Sequence, residues 1–339
     1  MQMVKEKINN LMKENELSGA FLYKEKSLVL EGCNGYANRA EQRLIQMNTR
    51  FGIASGCKLF TAIAICQLVE QGKLRFNTKL QDCLTIELPH FDQAITIHHL
   101  LTHTSGIPDY FDEEVMDDFE ELWIAQPMYL MRNLSDFLPL FQNHPMKLAV
   151  GERFHYNNAG YILLGLIIEK ISEMTFEDYV RQNVFQKANM QESGYFELDA
   201  LPKNTALGYI DLEDGSWKSN IYSVPVKGGA DGGAFTTVDD ISRLWEALIS
   251  YKLLNERMTQ QLLTPYINMD EHYDRFYGYG VWIDKKNEVI SKYHVMGYDP
   301  GVSFHSAYYP LQSSISVVCV NQSEGAFDIF KVLQESMIK

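Results

Sequence analysis

The chain has 339 residues, of which 46% are hydrophobic and 22% charged, and its formal net charge is −14. This length predicts two packed units, or one domain with a large insertion, in a protein of ordinary globular composition. The acidic excess disfavours nucleic acid and anionic membranes as partners. Neither the composition nor the charge indicates an oligomeric state.

The N-terminal segment and the cysteines bear on the cellular compartment. Residues 1–19, "MQMVKEKINNLMKENELSG", carry charges throughout and lack the apolar stretch of a secretory signal. No apolar run is long enough to cross a bilayer without charges, so no transmembrane segment is predicted. The five cysteines are odd in number and form no Cys-x-x-Cys pair, which is typical of a reducing compartment. We therefore expect a cytoplasmic protein, although an export signal removed earlier would leave the same sequence.

Hydrophobic spacing predicts the first elements. Residues 3–15 have the spacing of an amphipathic helix, and residues 19–38 contain two strands joined by the polar turn 24–27. The stretch "SGCKLFTAIAICQLVEQ", residues 55–71, is almost wholly apolar and predicts a buried helix that ends at Gly72.

The middle of the chain predicts helices followed by loops. Residues 113–143 have helical spacing, and "NNAGYILLGLIIEKIS" predicts an apolar helix after the break at Pro145. A second helix is expected to begin near Thr175, whose side chain can cap it. The acidic run "DYFDEEVMDDFEELW", residues 109–123, is interpreted as a solvated loop or helix face. Residues 200–240 are rich in glycine and aspartate and predict loops.

The last third of the chain predicts strands and one helix. The strands are expected within residues 277–286, 289–297, 302–310 and 314–322, and the helix over residues 324–337. Strands at both ends of the chain with helices between them predict an α+β fold. In this fold one sheet is built from both termini, and the helical part is an insertion.

Ser55 and Lys58 stand at the start of the apolar helix. Three residues along a helix turn by about 300°, so the two side chains share a face, whereas Cys57 points away and is interpreted as a core residue. A serine hydroxyl becomes a nucleophile when a base takes its proton, and a buried lysine amine can be that base. The backbone N–H at a helix start also lies where an oxyanion would form. Because S-x-x-K is common by chance, the pair alone is weak evidence for catalysis.

Two further stretches place polar residues in predicted loops. Tyr156 and Asn158 precede the second apolar helix in "GERFHYNNAGYILLG". A tyrosine beside a lysine can relay a proton, and an asparagine can hold an amide carbonyl. The stretch "LLTHTSGIPDY", residues 100–110, is polar next to a Gly-Ile-Pro turn, which indicates an ordered loop without an obvious chemical role.

Five stretches, taken in chain order, resemble the serine β-lactamase and penicillin-binding-protein superfamily. They are "ASGCKLFTAIAICQLVEQGKL", "LLTHTSGIPDY", "YNNAGYILLGLIIEKIS", "GGADGGAFTTVDD" and "YGYGVWI". They are most similar to its class C β-lactamase, DD-peptidase and esterase branch, over about residues 15–325. The resemblance implies a β-lactamase/transpeptidase-like fold, an antiparallel sheet flanked by helices with an additional helical domain. We expect a sheet domain from residues 1–75 and 205–339, a mainly helical domain from residues 76–204, and the active site in the cleft between them.

The resemblance also implies roles for four residues. Ser55 would be the acylated nucleophile, Lys58 its proton acceptor and Tyr156 a second acid or base, with the main base left open between the last two. Asn158 would bind the substrate amide. These roles predict a serine hydrolase whose partner is a small-molecule substrate. It would form a covalent acyl-enzyme on an ester, an amide or a β-lactam, and be of the penicillin-binding, D-Ala carboxypeptidase or esterase type. The alternative is a non-catalytic penicillin-recognising or scaffold relative, but retention of all four residues favours an enzyme.

The third element of the family departs from the family pattern. Relatives carry Lys-Thr-Gly or His-x-Gly before a Pro-Gly turn, and this chain reads "YHVMGYDPGVSF". When the Pro300-Gly301 turn is aligned with the turn of the relatives, Gly297 corresponds to their glycine and Val295 to their lysine or histidine. The backbone N–H of Tyr298 would be the second oxyanion donor. His294 would reach the cleft only if the strand bulged, since adjacent strand residues face opposite sides. Loss of the basic group predicts weaker recognition of substrate carboxylates, and therefore esters or small amides rather than β-lactams.

No cofactor or metal is predicted. His98, His99 and His103 match no common zinc spacing. The G-x-S-x-G motif of α/β-hydrolases is absent from the sequence. The glycine-rich stretch 228–233 follows no strand into a helix with a lysine, so it is interpreted as a loop and not as a phosphate site.

Overall fold

The structure, a computed structural model, describes residues 2–270 and 274–337 as helices, strands and connecting turns. The helices are α1 (Gln2–Glu14), α2 (Lys58–Glu70), α3 (Leu80–Cys83), α4 (Ile97–Leu101), α5 (Leu122–Ala125), α6 (Asn158–Ser172), α7 (Phe176–Val180), α8 (Val238–Ile249), α9 (Glu256–Leu262) and α10 (Ala326–Met337). The strands are β1 (Gly19–Glu25), β2 (Leu28–Asn34), β3 (Tyr36–Asn38), β4 (Arg43–Leu44), β5 (Phe51–Gly52), β6 (Tyr209–Asp211), β7 (Trp217–Ser219), β8 (Phe235–Thr236), β9 (Ile267–Asp270), β10 (Arg275–Tyr277), β11 (Trp282–Lys286), β12 (Val289–Asp299), β13 (Val302–Tyr309) and β14 (Ser314–Val320).

An eight-stranded sheet joins the two ends of the chain. Its order is β2-β1-β14-β13-β12-β11-β10-β9, and every neighbouring pair is antiparallel. Side chains alternate across β1: Ala20 and Leu22 lie in one hydrophobic cluster, and Phe21 and Tyr23 lie in another on the opposite face. The predicted α+β fold, with one sheet built from both termini, is confirmed.

Helices cover both faces of this sheet. Helices α1 and α10 pack on the face of Phe21 and Tyr23. Helix α8 packs on the other face, where Trp245 Nε1 donates to Ser306 Oγ at 2.8 Å. The turn that precedes α2 lies against β12 and β13, so the sheet and the apolar helix meet at the start of α2.

Helix α2 is buried on every side. All of its residues from Lys58 to Leu68 are buried, as expected for a helix that is apolar around its whole circumference. It packs on α6, the second strongly apolar helix. The predicted helix is confirmed, but a 3-10 turn, Ala54–Cys57, replaces its first turn. Ser55 therefore lies in that turn, just before the α-helix begins.

The prediction of a long helix over residues 113–143 is wrong. Short 3-10 and α-helical turns occupy this part of the chain, and Pro127 and Pro139 interrupt them. A proline has no N–H to donate and disfavours helical backbone in the preceding residue, so the apolar spacing could not extend into one helix. The helix predicted after Thr175 is confirmed as α7, and Thr175 Oγ1 accepts from Asp178 N at 3.2 Å.

Among the residues that the structure describes, no helix combines the length and the hydrophobicity needed to cross a bilayer. The strands of the large sheet come from residues 19–34 and 267–320, which lie inside the predicted sheet domain. The division of the chain at residues 76 and 204 into two domains stays a prediction.

Candidate active site

Ser55 lies in the wall of a cavity of about 460 Å³, within the turn Ala54–Cys57. Ala54 has a φ of 45°, a conformation that residues other than glycine rarely adopt. A backbone hydrogen bond holds it there, since Gly233 N donates to Ala54 O at 3.3 Å. The loop 228–233 therefore supports the strained backbone that presents the serine.

The Lys58 amine contacts three oxygen atoms and is almost wholly buried. Its Nζ lies 2.8 Å from Ser55 Oγ, 2.8 Å from Asn158 Oδ1 and 2.7 Å from the backbone oxygen of Asp231. The amide oxygen and the backbone oxygen can only accept, so each takes one proton from the amine. The remaining substituent of the nitrogen, a proton in the charged amine or the lone pair in the neutral amine, faces Ser55. A charged amine would donate to the serine there, whereas a neutral amine would direct its lone pair at the serine hydroxyl.

Tyr156 lies beside this pair. Lys58 Nζ is 4.8 Å from the centre of the Tyr156 ring, and the His103 ring packs on the tyrosine at a centroid distance of 4.5 Å. Burial, and then the negative charge of Glu113, hold the pKa of Tyr156 well above its ordinary value of 10, while a hydrogen bond with Ser55 acts in the opposite direction. The phenol is therefore protonated at neutral pH and suited to donate a proton.

His103 fixes the loop that carries Tyr156. Its Nδ1 accepts from Asn157 N at 3.0 Å, so the ring proton is on Nε2, which lies 3.2 Å from Tyr277 Oη. Its backbone oxygen accepts from His155 N at 2.8 Å. Burial holds the pKa of His103 well below its ordinary value, so the ring is neutral. The His-Thr-Ser stretch, which had no obvious chemical role in the sequence, thus positions the tyrosine.

Asn158 begins helix α6 and directs its amide oxygen at Lys58. Asp109 Oδ2 accepts from Asn158 N at 2.8 Å and from Asn158 Nδ2 at 3.1 Å, and Asp109 Oδ1 accepts from Ala159 N at 2.8 Å. Nδ2 also donates to Phe111 O at 3.3 Å. Both amide protons therefore have acceptors within the protein, and one of these bonds would have to break for Asn158 to bind a substrate carbonyl. Burial raises the pKa of Asp109 to about 7.

The glycine-rich loop 228–233 provides a second support for the lysine. The backbone oxygen of Asp231 accepts from Lys58, and the Asp231 carboxylate accepts from the hydroxyl of Tyr110. Burial raises the pKa of Asp231, and the charge of Lys58 opposes that shift. The segment is a loop, as predicted, and its backbone holds the amine in place.

Strand β12 passes close to the serine at Gly297. A Cβ atom at this position would lie 2.1 Å from Ile53 O and 2.8 Å from Ser55 N, so only glycine leaves room for the approach. Strands β12 and β13 pair without a register shift from Tyr293 to Asp299. Residues along this part of β12 therefore alternate regularly between the two faces of the sheet.

The regular register separates Val295 from His294. Val295 shares the face of Gly297, is 3% exposed, and packs in the main hydrophobic cluster outside the cavity wall. His294 lies on the opposite face, and its Nε2 is 3.3 Å from Asp284 Oδ1. Burial lowers the pKa of His294 to about 4, so the ring is neutral. No bulge between Tyr293 and Asp299 brings His294 toward Ser55.

The cavity beside Ser55 is lined by apolar and acidic side chains. Its acidic residues are Glu113, Asp117, Asp118, Glu120, Asp231 and Asp299. Among the residues that the structure describes, no lysine, arginine or histidine contributes to the lining. Burial, and then the charge of Asp231, raise the pKa of Asp299 to about 7. The acidic run interpreted as solvated surface is exposed at Glu113, Asp117 and Asp118, but these residues also border the cavity, and Asp112 in the same run is buried.

Comparison with known proteins decides the family. A family model described as Beta-lactamase matches residues 4–331. The chain belongs to the Beta-lactamase family. Penicillin-binding protein 4* of Bacillus subtilis (strain 168) is 30% identical over 290 residues, which cover 79% of this chain and 60% of that protein. The chain thus spans about three fifths of the length of this relative and of a second relative from the same strain, the Putative penicillin-binding protein PbpX.

Solved structures of similar proteins agree with this family. A penicillin-binding protein from Bacillus halodurans is 59% identical with a TM-score of 0.93, and the match covers 97% of this chain and 99% of that one. An octameric penicillin-binding-protein homologue from Pyrococcus abyssi is 26% identical with a TM-score of 0.86, and the match covers 99% of this chain and 77% of that one. The predicted family and the β-lactamase/transpeptidase-like fold are both confirmed.

One cluster in this Beta-lactamase-family protein has the composition of a metal site. Ligand atoms of Asp112, Glu114 and His155 lie within 4.8 Å of one another. Lys147 pairs with both carboxylates, and Arg153 pairs with Glu114. Because these cations already neutralise the carboxylates, the cluster is an ion-pair network that ties the acidic run to the loop before Tyr156.

Sequence reasoning missed four side chains near the serine: Asp109, Tyr110, Asp231 and Asp299. Asp109 and Tyr110 lie in "GIPDY" and Asp231 lies in "GGADGG", two stretches that carried the family resemblance. Asp299 immediately precedes the Pro-Gly turn that set the strand count. An acidic residue inside an otherwise apolar or glycine-rich motif was the available signal, since such a residue is rarely buried without a partner or a function.

Proposed function

We propose that this protein is a serine hydrolase that forms a covalent acyl-enzyme on Ser55 and acts on esters and small amides. The observation that carries the proposal is the surroundings of the Lys58 amine. Asn158 Oδ1 and the backbone oxygen of Asp231 accept two of its protons, and Ser55 Oγ lies 2.8 Å from the nitrogen on the remaining side. Membership of the Beta-lactamase family and the cavity beside Ser55 support it.

In acylation, Ser55 Oγ attacks the carbonyl carbon of the substrate while its proton passes to the Lys58 amine. The raised pKa of Tyr156 favours Lys58 as the acceptor, and Tyr156 then relays a proton to the leaving alcohol or amine. The bond between the carbonyl carbon and the leaving group breaks, and the acyl group remains on Ser55. A water molecule attacks this ester, releases the carboxylic acid and returns the proton to Ser55.

The backbone N–H groups of Ser55 and Tyr298 are the proposed oxyanion donors. Gly297 supports this role, because its missing side chain allows β12 to lie against the backbone N–H of Ser55. Removing one donor of this kind typically costs about 100- to 1000-fold in kcat. The proposed cleft between the sheet and helical domains follows from the same contacts, since Lys58 comes from the first domain and Asn158 from the second.

The proposed preference for esters and small amides rests on the absence of a basic group. Val295 takes the place where relatives carry lysine or histidine, and a valine neither donates a hydrogen bond nor balances a carboxylate. In the described part of the chain, the cavity lining contains acidic residues and no basic ones. A β-lactam or a D-Ala-D-Ala peptide, which carries a carboxylate, would meet repulsion there.

A fluorophosphonate probe tests the nucleophile. We expect one covalent adduct per chain, located at Ser55 by peptide mass spectrometry, and no adduct in Ser55→Ala. Ser27→Ala, which removes an exposed serine in the β1–β2 turn, should label as the unaltered protein does. Labelling that survives Ser55→Ala would contradict the proposal. A panel of a penicillin, a cephalosporin, a D-Ala-D-Ala peptide and a p-nitrophenyl ester would then rank the substrates.

We also propose that the protein works in a reducing compartment. Cys57, Cys66 and Cys319 are buried and unpaired, and Cys33 and Cys83 are partly buried and unpaired. Burial raises the pKa of Cys57 to about 12, which agrees with its interpretation as a core residue and not a nucleophile. Thiol titration of the unfolded, unreduced protein should find five free thiols, and a lower number would count against this compartment.

A further inference from the structure

We propose that Asn158 orients Lys58 and does not bind the substrate, and that Asp109 is the positioning residue that holds Asn158 in this role. The inference rests on the proposed function, because it concerns the orientation of the base in the same site. It departs from the role that the family resemblance implies for Asn158, which is to bind an amide of the substrate. A substrate of this protein therefore needs no amide in its acyl group.

The Asp109 carboxylate accepts hydrogen bonds from four N–H groups. Its Oδ1 accepts from Tyr110 N at 2.9 Å and from Ala159 N at 2.8 Å. Its Oδ2 accepts from Asn158 N at 2.8 Å and from Asn158 Nδ2 at 3.1 Å. An ionised carboxylate has no proton to donate, so it determines which end of the Asn158 amide faces it. The NH2 group must point at Asp109, and the amide oxygen must point away.

The oxygen of the Asn158 amide consequently faces Lys58. Asn158 Oδ1 lies 2.8 Å from Lys58 Nζ, and Nδ2 donates its second proton to Phe111 O at 3.3 Å. Both amide protons and the amide oxygen thus have partners within the protein. A substrate carbonyl could bind Nδ2 only after one of these bonds had broken, and the abandoned acceptor would then lose its partner.

Capping of helix α6 does not account for the contact between Asp109 and the Asn158 side chain. The helix has a cap of its own, since Asn157 Oδ1 accepts from Gly160 N at 2.7 Å. Asn157 Nδ2 also donates to Ile107 O at 3.0 Å, which ties the loop before Asp109 to the start of the helix. The bond to Asn158 Nδ2 adds nothing to the cap, and its effect is to fix the direction of the amide.

The direction of the Asn158 amide decides where the Lys58 amine points. If the amide were reversed, Nδ2 would face Lys58 Nζ, and two groups that donate would oppose each other. The amine would keep the backbone oxygen of Asp231 as an acceptor and could rotate about its Cε–Nζ bond, so its lone pair would turn away from Ser55. Asp109 thus acts on the nucleophile through two intermediate side chains and not by contact with the substrate.

Two matched methyl esters distinguish this role of Asn158 from substrate binding. They are the methyl ester of N-acetylglycine and methyl 4-methylpentanoate, which are similar in shape and uncharged, and only the first carries an amide. Assays at pH 8 keep Asp109 mostly ionised, since burial raises its pKa to about 7. We expect Asn158→Leu to lower kcat/KM for both esters by the same factor, about 10- to 100-fold, as for loss of a hydrogen bond to a charged group.

The control for this variant is Asn10→Leu, which makes the same replacement at an exposed position of α1 and should leave both rates unchanged. A loss for the N-acetylglycine ester that exceeds the loss for the hydrocarbon ester by about tenfold would mean that Asn158 binds the substrate amide. That result would overturn the inference, and so would unchanged rates for both esters in Asn158→Leu.

Asp109→Asn tests the positioning residue. One amide oxygen cannot accept from four N–H groups, and the new NH2 group can turn the Asn158 amide around. We expect kcat for both esters to fall by about tenfold or more while KM changes by less than about twofold, because the contacts with the substrate remain. Asp82→Asn makes the same replacement at an exposed position outside the cavity and should keep both constants.

Active-site titration separates positioning from a loss of folded protein. Each rate is divided by the number of chains that a fluorophosphonate labels at completion. A purely structural role of Asp109 would then leave kcat per labelled chain unchanged in Asp109→Asn, and this outcome would contradict the inference.

The two proposals fail in different ways. Hydrolysis through Ser55 that Asn158→Leu reduces selectively for the N-acetylglycine ester would reject the inference and keep the serine hydrolase. If no ester is hydrolysed and Ser55 is not labelled, the proposed function fails, and NMR of the protein with 13C-labelled lysine still decides the inference. The Lys58 Cε resonance, assigned through Lys58→Ala, should shift in Asp109→Asn and not in Asp82→Asn. A resonance that stays the same in Asp109→Asn would overturn the inference.

Discussion

The two sides of the Ser55 site differ in how completely their polar groups are hydrogen-bonded. Around Lys58 every polar contact is complete, since Ser55, Asn158 and the Asp231 backbone surround the amine. In the cavity wall, Glu113 and Asp299 have no hydrogen-bonding partner among the described residues. A satisfied network holds reacting atoms in place, whereas a wall of unpaired negative charge disfavours an anionic ligand. In the proposed function, the Lys58 side therefore performs the chemistry and the acidic wall selects against carboxylate substrates.

The largest expected effect comes from breaking the Lys58 side. Lys58→Ala and Tyr156→Phe should each lower kcat/KM for a p-nitrophenyl ester by orders of magnitude, because the proton of Ser55 passes through both groups. The double variant should lose little more than the worse single variant, since groups that act as a unit are not additive.

Thermal unfolding is the control for this pair of variants. Tyr36→Phe, which alters an exposed tyrosine on β3, should change neither the rate nor the unfolding temperature. Nearly additive losses in the double variant, with the fold intact, would argue against a shared proton path.

A smaller effect is expected when a cation is added to the same strand face. The stem of a lysine at position 295 would lie in the hydrophobic cluster where Val295 packs, and its amine would extend toward the cavity at some cost in unfolding temperature. We expect β-lactam acylation to rise relative to ester turnover by about tenfold, since a charge-assisted hydrogen bond contributes about 1.5–3 kcal/mol. Val29→Lys, which adds the same charge at an exposed position on β2, should leave that ratio unchanged.

The opposite outcome would identify a different strand register. If His294→Ala abolished acylation while Val295→Lys only lowered the unfolding temperature, His294 would be the functional group. That result would contradict the regular pairing of β12 with β13.

The smallest expected effect is a pH-dependent change in stability. The pKa of Asp299 is about 7 in the folded protein, and Asp231, Lys58 and Glu113 are the charged groups that act on it. In the unfolded chain it is about 4. A carboxyl group with a raised folded pKa contributes stability that is fully present below about pH 4 and is lost as the pH rises through about 7. An asparagine at position 299 has no charge at any of these pH values, so the variant does not lose stability as the pH rises.

Asp299→Asn should therefore gain in unfolding temperature relative to the unaltered protein between pH 5 and pH 8, by roughly 3 °C. Gln81→Ala, which alters an exposed side chain that cannot titrate, should show the same difference at both pH values. A gain for Asp299→Asn that is as large at pH 5 as at pH 8 would mean that the carboxyl group does not titrate in this range.

Local patterns explain how much of the fold could be predicted. Short apolar runs bounded by turn residues marked β1 and β14 as strands at both ends of the chain, and antiparallel pairing of such strands produces one sheet. The cap at Thr175 was readable because a side chain and a backbone N–H three residues later suffice to form it. The region from 113 to 143 failed because its apolar spacing was read without weighing Pro127 and Pro139.

The candidate site also has a part that could be predicted from the sequence and a part that could not. Ser55 and Lys58 are three residues apart, so their proximity follows from helix geometry alone. Glu113 and Asp299 are distant in sequence and meet only through the folded chain. The engagement of Asn158 with Asp109 was equally hidden, because it depends on where a loop lies against the start of α6. Chemistry carried by local spacing was predictable, and the charge of the cavity was not.

The most direct test of this account crosses two variants with two esters. Tyr156→Phe and Asp299→Asn are each assayed on monomethyl succinate, whose acyl group carries a carboxylate, and on methyl butanoate, which is neutral. We predict that Tyr156→Phe lowers kcat/KM for both esters by the same large factor, so that their ratio stays constant, whereas Asp299→Asn raises kcat/KM for the carboxylate ester relative to the neutral one. An unchanged ratio in Asp299→Asn, or a ratio that changes more in Tyr156→Phe, would contradict the separation of chemistry from substrate selection.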